Sequence, residues 1–144
     1  MEYDQLKLDN QLCFMLYACS REITKNYRPF LSELGITYTQ YITMLVLWEE
    51  DNITIKALGD KLYLDSGTLT PLLKKLEALG LIIRSRAKED ERNVYIKLTE
   101  DGCVLKEKAK DIPEKLLCST KLCLNEAIEL RENLKEFLGS LKDN

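Results

Sequence analysis

Five cysteines, at positions 13, 19, 103, 118 and 123, are the side chains most able to do covalent chemistry in this sequence, and histidine is absent. A thiolate can attack a peroxide or another sulfur, and it can bind a metal. No CxxC pair occurs, so a zinc site would need scattered cysteines or carboxylates, and no metal is expected. An odd cysteine count with no secretion signal argues against a structural disulfide framework. Without histidine the chain lacks the commonest general base and the usual catalytic triads. Ordinary hydrolytic catalysis is not expected, nor is any cofactor. Cys13 lies in "QLCFMLYACSRE", residues 11–22, with Tyr17 one helical turn later. That setting suits either plain packing or a reactive thiol.

The elements carrying these residues follow from apolar spacing. Leu12, Leu16, Cys19, Ile23, Tyr27 and Phe30 recur at helical intervals, predicting a long first helix that Gly35 closes. Asp9 is the expected N-cap, with Leu8 and Cys13 as a hydrophobic staple. Thr39 is expected to cap "QYITMLVLWEE", a helix so apolar that it must be buried. A short helix, "IKALGDKLYL", follows Thr54. Next comes "DSGTLTPLLKKLEALG", residues 65–80, with Gly80 past its end. "LIIRSRA" and "VYIKLT" read as two strands joined by the charged turn "KEDERN". From Glu100 to about Leu141 the pattern is helical, interrupted near Pro113. The fold class is mainly α with a small β-hairpin (α+β), in one domain of 144 residues. No apolar run approaches the ~20 residues that span a bilayer, and the polar, acidic N-terminus is unlike a signal peptide. The cytoplasm is the expected compartment.

The net charge of −3 conceals a gradient. Residues 1–55 hold 4 basic and 8 acidic side chains, residues 56–97 hold 9 and 6, and residues 98–144 hold 8 and 10. The positive excess falls in the middle, where an anionic partner would bind. There the order helix, turn, helix, hairpin is that of a winged helix-turn-helix. Ser66, Gly67, Thr68 and Thr70 give the second helix a small, polar head able to enter a major groove, and Lys74 and Lys75 add charge. The hairpin carries Lys88 and Arg92, flanked by Arg84 and Arg86. Pro71 argues for Thr70 as the N-cap, with Pro71 at the first helical position. We place the start at Ser66, with the first turn set off from the rest.

The string "LYLDSGTLTPLLKKLEALGLIIRSRAKEDERNVYIKLTEDG" closely resembles the core of the MarR family of transcriptional regulators, with Asp90, Arg92, Leu98 and Thr99 matching that family's wing signature. The resemblance covers nearly the whole chain. It implies a winged helix-turn-helix core over about 39–99, with dimerisation helices over about 9–34 and 100–141. It also implies a homodimer on double-stranded DNA. By that resemblance Ser66, Thr68, Lys74 and Lys75 would contact DNA, Arg92 would enter the minor groove, and Asp90 would hold the wing; Thr70 in the polar head and Arg86 on the hairpin flank are expected to join the DNA contacts. A two-fold dimer implies a pseudo-palindromic operator with half-sites about 34–36 Å apart.

Within that family, "QLCFMLYACSRE", "ITYTQY" and "LYLDSGTLTPLLKKLE" resemble the organic hydroperoxide resistance regulators. The resemblance implies a repressor released when an organic hydroperoxide oxidises Cys13, with Tyr17, Tyr27 and Tyr38 as supporting residues. Phenolic hydroxyls can donate to the sulfur and favour its charged form. A place in the first helical turn adds a favourable dipole. In two-cysteine members of the branch the sulfenic acid condenses with a thiol in the C-terminal region of the other subunit. Cys118 matches that place, and Cys123 is an alternative. Cys19 and Cys103 read as packing. Two rival readings remain, a repressor released by a small aromatic ligand and a thiol peroxidase, in which the polar "DSGTLT" head and basic wing would have no use.

Overall fold

A computed structural model describes residues 3–87, 89 and 92–142. The chain divides into two compact units, residues 1–110 and 111–144.

The first unit begins with two 3₁₀ turns, Asp4–Leu6 and Leu8–Asn10, before helix α1, Leu12–Leu34. Asp9 therefore does not cap the helix. Gln11 occupies that place, and its side-chain amide donates back to the Gln5 and Lys7 carbonyls at 2.9 and 2.8 Å. Asn10 does the same to Asp4 at 2.7 Å. These bonds satisfy the turn locally and delay the helix by a few residues. The expected staple is lost with the cap, because Cys13 becomes the second helical residue and is exposed. Gly35 ends α1 as expected.

Helix α2, Tyr38–Glu49, is capped by Thr37 rather than Thr39. The Thr37 N–H donates to Gln40 Oε1 at 2.9 Å, so a glutamine three residues on decides between the two threonines. Tyr41, Met44 and Leu47 from α2 join Leu58, Leu69, Leu73, Leu76 and Ile96 in the core. A two-residue strand β1, Ile53–Thr54, precedes helix α3, Ile55–Leu62. Thr54 caps α3 by accepting from the Ala57 N–H at 3.1 Å.

The turn into helix α4, Ser66–Ala78, is tight. A Cβ on Gly59 would lie 2.6 Å from the Leu64 carbonyl oxygen, so only glycine lets the two segments approach this closely. Strands β2, Ile82–Arg86, and β3, Val94–Leu98, form the expected hairpin in register Arg84 to Ile96. β1 adds to the other edge of β3, giving the order β1-β3-β2, a third strand too short for periodicity to reveal.

Thr99 then fastens the hairpin to helix α5, Glu100–Ala109. Its hydroxyl donates to the Gly80 carbonyl at 2.6 Å and accepts from the Gly102 N–H at 3.0 Å. The second unit holds helices α6, Ile112–Cys118, and α7, Leu124–Lys142. Pro113 sits at the start of α6, where a missing N–H costs nothing. The helical run is thus broken twice, around residues 110–111 and again over 119–123. Among the described residues no helix is long and apolar enough to cross a membrane.

Candidate functional site

Asp65 starts α4, accepting from the Thr68 N–H at 2.7 Å. That bond, with the Thr68 hydroxyl beside it, holds the Asp65 carboxyl below the usual carboxylate range. The helix is continuous from Ser66, with no first turn set apart, and Pro71 lies inside it. Leu69, Leu72, Leu73 and Leu76 are buried on one side. At about 100° per residue, Gly67, Pro71 and Lys74 point directly away from them, with Ser66 and Thr70 on one flank and Thr68 and Lys75 on the other. Pro71 is tolerated because its ring faces outward, leaving the Gly67 carbonyl without its usual helical donor. The Thr70 hydroxyl donates to the Ser66 carbonyl at 2.8 Å.

Ser66, Thr70 and Arg92 line one cleft of about 460 Å³, together with Thr54, Lys56 and Asp65. The head of α4 and the turn end of the hairpin therefore present one surface. Arg86 lies in a smaller hollow beside Arg84 and Glu77. Arg84 is spoken for: its guanidinium donates to Glu77 Oε1 at 3.1 and 3.3 Å, and its N–H to Oε2 at 3.2 Å. It braces the hairpin against α4. Asp90 and Lys88 lie outside the described residues.

Cys13 is exposed on the first turn of α1. Tyr17, one turn on, is 57% exposed, and its hydroxyl accepts from Arg21 Nη1 at 3.1 Å while the guanidinium lies over its ring. The other tyrosines gather elsewhere. Tyr27 and Tyr38 have ring centroids 4.8 Å apart, and Tyr41 stands 5.6 Å from Tyr27 and 6.3 Å from Tyr38. Burial pushes the Tyr27 phenol well above the usual value, and its two neighbours add to the shift. Burial also raises Tyr38, and burial followed by the nearby Tyr38 raises Tyr41. All three stay protonated as hydrogen-bond donors at neutral pH. Tyr41 was not expected here, although its spacing of three from Tyr38 puts both on one face of α2.

Cys13 and Tyr27 stand fourteen positions apart on one helix, about 21 Å along its axis. Within a single chain, then, the tyrosine cluster and the Cys13 sulfur do not meet.

In the second unit, Cys118 ends α6 and Cys123 precedes α7, and both are exposed. The Cys123 N–H donates to Glu126 Oε1 at 3.1 Å. The Cys123 thiol, with that N–H, holds the Glu126 carboxyl below its ordinary range. Cys19 and Cys103, expected to pack, are exposed in the chain. Among the described residues no cluster of cysteine and carboxylate side chains is arranged to hold a metal ion.

The profile of the family described as "Transcriptional regulator SarA/Rot" matches residues 25–112. The organic hydroperoxide resistance transcriptional regulator of Bacillus subtilis is 54% identical over 140 residues, 97% of this chain and 95% of that protein. Reduced AbfR bound to DNA superposes with a TM-score of 0.85 at 36% identity, over 99% of this chain and 98% of that one. AbfR, from Staphylococcus epidermidis, is also known with a disulfide formed, and that structure matches with a TM-score of 0.67 at 37% identity, over 94% and 95% of the two chains. The matched family and relatives are regulators, not enzymes. The chain belongs to the MarR/SarA-type winged-helix transcriptional regulators, in their organic hydroperoxide resistance branch.

Proposed function

We propose that the protein is a homodimeric repressor that binds a pseudo-palindromic operator while reduced and leaves it when an organic hydroperoxide oxidises Cys13. The observation that carries this reading is the separation of Cys13 from Tyr27 and Tyr38. The phenols can donate to a Cys13 sulfur only if that sulfur comes from a second copy of the chain. Uncovered apolar side chains supply the means for two copies to associate. Leu8, Leu12, Met15 and Ile23 in the first unit, and Leu124, Leu130 and Leu134 in the second, are 40% exposed or more. Burying them against a partner removes apolar surface from water. The single domain over 1–144, with a reading core at about 39–99 and flanking dimerisation helices, belongs to the same proposal.

Each copy offers DNA the outward face of α4 and the hairpin. Ser66, Thr68 and Thr70 donate to base edges and phosphates, Lys74, Lys75 and Arg86 neutralise backbone charge, and Arg92 enters the minor groove beside a wing held by Asp90.

The switch is a balanced two-electron oxidation. The Cys13 thiolate attacks the terminal oxygen of the hydroperoxide; an S–O bond forms, the O–O bond breaks, and the alkoxide takes a proton and leaves as the alcohol. The sulfenic acid next condenses with the Cys118 thiol of the other chain, forming an S–S bond and releasing water. Cys118 is favoured over Cys123 because its position at the end of α6 matches the place of the second thiol in two-cysteine members of the branch, while the Cys123 N–H is held by Glu126 Oε1 at 3.1 Å. Tyr17 steadies the first turn of α1, through the Arg21 contact, while this occurs. Linking the chains alters the spacing of the two α4 helices, and the operator is lost.

Non-reducing electrophoresis after one equivalent of cumene hydroperoxide tests the scheme. A cross-linked dimer that Cys13→Ser or Cys118→Ser abolishes is expected. A monomeric band carrying sulfenic acid or a small-thiol adduct contradicts the intersubunit disulfide.

A further inference from the structure

Cys118 and Cys123 stand at the two ends of one short turn in the second unit. Cys118 is the last residue of α6, and Cys123 immediately precedes α7. Thr120 closes the turn: its hydroxyl donates to the Leu117 carbonyl at 2.7 Å and accepts from the Leu122 N–H at 3.2 Å. One side chain thus ties the peptide that leads into Cys118 to the residue just before Cys123. The Thr120 N–H also donates to the Leu117 carbonyl, at 3.0 Å. At the far end the Cys123 carbonyl accepts from the Ala127 N–H at 3.0 Å, so Cys123 is the N-cap of α7. Both thiols are exposed, and none of the side chains between them is buried. A disulfide needs Cα atoms about 4.4–6.8 Å apart. A segment already folded back by Thr120 reaches that spacing with small rotations, and no core residue has to move.

We propose that Cys123 is an exchange thiol, which attacks the Cys118 sulfur of the Cys13–Cys118 intersubunit disulfide, closes a Cys118–Cys123 disulfide within one chain and returns Cys13 to the thiol. The proposal rests on the intersubunit disulfide of the scheme above and gives the third cysteine a task in it. The step is redox-neutral. The Cys123 thiol gives its proton to water and forms an S–S bond to Cys118. The Cys118–Cys13 bond breaks, and the Cys13 sulfur leaves as a thiolate that takes up a proton from water. No external reductant takes part, and the oxidising equivalents stay in the protein. Two features favour this direction. The attacking thiol is on the same short turn as its target, an effective concentration on the order of millimolar. The departing Cys13 sulfur returns to the Tyr27–Tyr38 pair, whose protonated phenols can donate to a thiolate, and a stabilised thiolate leaves faster. Glu126 sets the order of events. Its carboxylate accepts from the Cys123 N–H at 3.1 Å and holds Cys123 at the head of α7, so the cross-link forms first. Uncatalysed disulfide rearrangement takes minutes to hours. Operator release then lasts as long as the bond between the chains.

The test follows the cross-link in time. Full-length reduced protein is oxidised with one equivalent of cumene hydroperoxide, desalted, and sampled over hours into N-ethylmaleimide under denaturing conditions. On non-reducing gels the wild-type dimer band should form and then decay to monomer, at least about tenfold faster than in Cys123→Ser. Lys121 lies between the two cysteines, so trypsin divides them. The late monomer should therefore yield peptides 116–121 and 122–131 joined by a disulfide, with maleimide on Cys13. Cys19→Ser and Cys103→Ser should decay as the wild type does. Equal persistence of the dimer in wild type and Cys123→Ser overturns the proposal. So does a late monomer with maleimide on both Cys118 and Cys123, or a late dimer joined through Cys13 and Cys123. If neither wild type nor Cys123→Ser forms a cross-linked dimer at any time, the intersubunit scheme fails and the exchange step fails with it.

Discussion

Arg84 on strand β2 grips the carboxylate of Glu77 on helix α4 with its guanidinium and its backbone N–H together, at 3.1 to 3.3 Å. The hairpin and helix α4 are therefore tied together by this residue pair. The Arg84 guanidinium, then its N–H, holds the Glu77 carboxyl below its ordinary value near 4.5. A carboxyl depressed in the folded state contributes stability above its unfolded pKa and loses it as the pH falls through the folded value. Glu77→Gln should therefore lower the urea midpoint at pH 7, and the gap from wild type should close on acidification below about pH 4. The same substitution should weaken operator binding severalfold by freeing the hairpin. Equal urea midpoints at pH 7 would show that the brace has no mechanical role.

Gly102 is a second fixed point. The Trp48 indole N–H donates to its carbonyl at 2.9 Å, and a Cβ at this position would collide with the Leu81 carbonyl oxygen. Gly102→Ala should destabilise the protein by about 2 kcal/mol or more, since helix and strand must separate to admit one methyl group. Denaturant unfolding with an unchanged m-value would measure the loss. A neutral result would mean that the α5 start yields easily.

Salt titrations sort the reading residues. Lys74→Ala or Lys75→Ala should weaken all DNA sequences alike and lower the log–log salt slope by about one each. Ser66→Ala or Thr68→Ala should instead cost affinity for the operator more than for random DNA, by about 1–3 kcal/mol where a base edge is read. Uniform losses from all four would reduce α4 to an electrostatic contact.

The Cys123 N–H and thiol both contact the Glu126 carboxylate at the head of α7. In oxidised wild-type protein, peptide mapping should find Cys13 joined to Cys118. In Glu126→Ala the Cys123 thiol loses its acceptor, and the share of Cys13–Cys123 disulfide should rise. If Cys123 already dominates in the wild type, the carboxylate does not restrain it.

Much of this architecture is legible in residue types. Gly35 and Gly80 past helix ends, the short helix after Thr54 and both long strands follow from local rules that tertiary contacts left intact, whereas α4 starts at Ser66 against the pull of Pro71 because Asp65 accepts from the Thr68 N–H. The departures arise where two local solutions compete. Thr37 and Thr39 are equally good caps until Gln40 is counted, and a capping box is readable in "TYTQ". Asp9 is a good cap in isolation, but Asn10 and Gln11 bond backwards to carbonyls at 4, 5 and 7 and hold the chain in 3₁₀ turns. β1 is two residues long and exists only because β3 is there to pair with. Arg84 looked like part of the basic surface because its partner Glu77 lies seven residues back, across a turn. The tyrosine cluster was half visible. Tyr27 and Tyr38 came from the family resemblance, whereas Tyr41 needed the α2 face, and the 21 Å from Cys13 needed only the count of residues along one helix.

In the proposed switch, oxidation of Cys13 is what removes the protein from DNA. Fluorescence anisotropy on a labelled fragment from upstream of its own gene, before and after one equivalent of organic hydroperoxide, decides it. The wild-type protein should bind tightly when reduced, release the fragment on oxidation and bind again after treatment with dithiothreitol, while Cys13→Ser binds throughout. Persistent binding of oxidised wild type, or release of Cys13→Ser by the same oxidant, would contradict it.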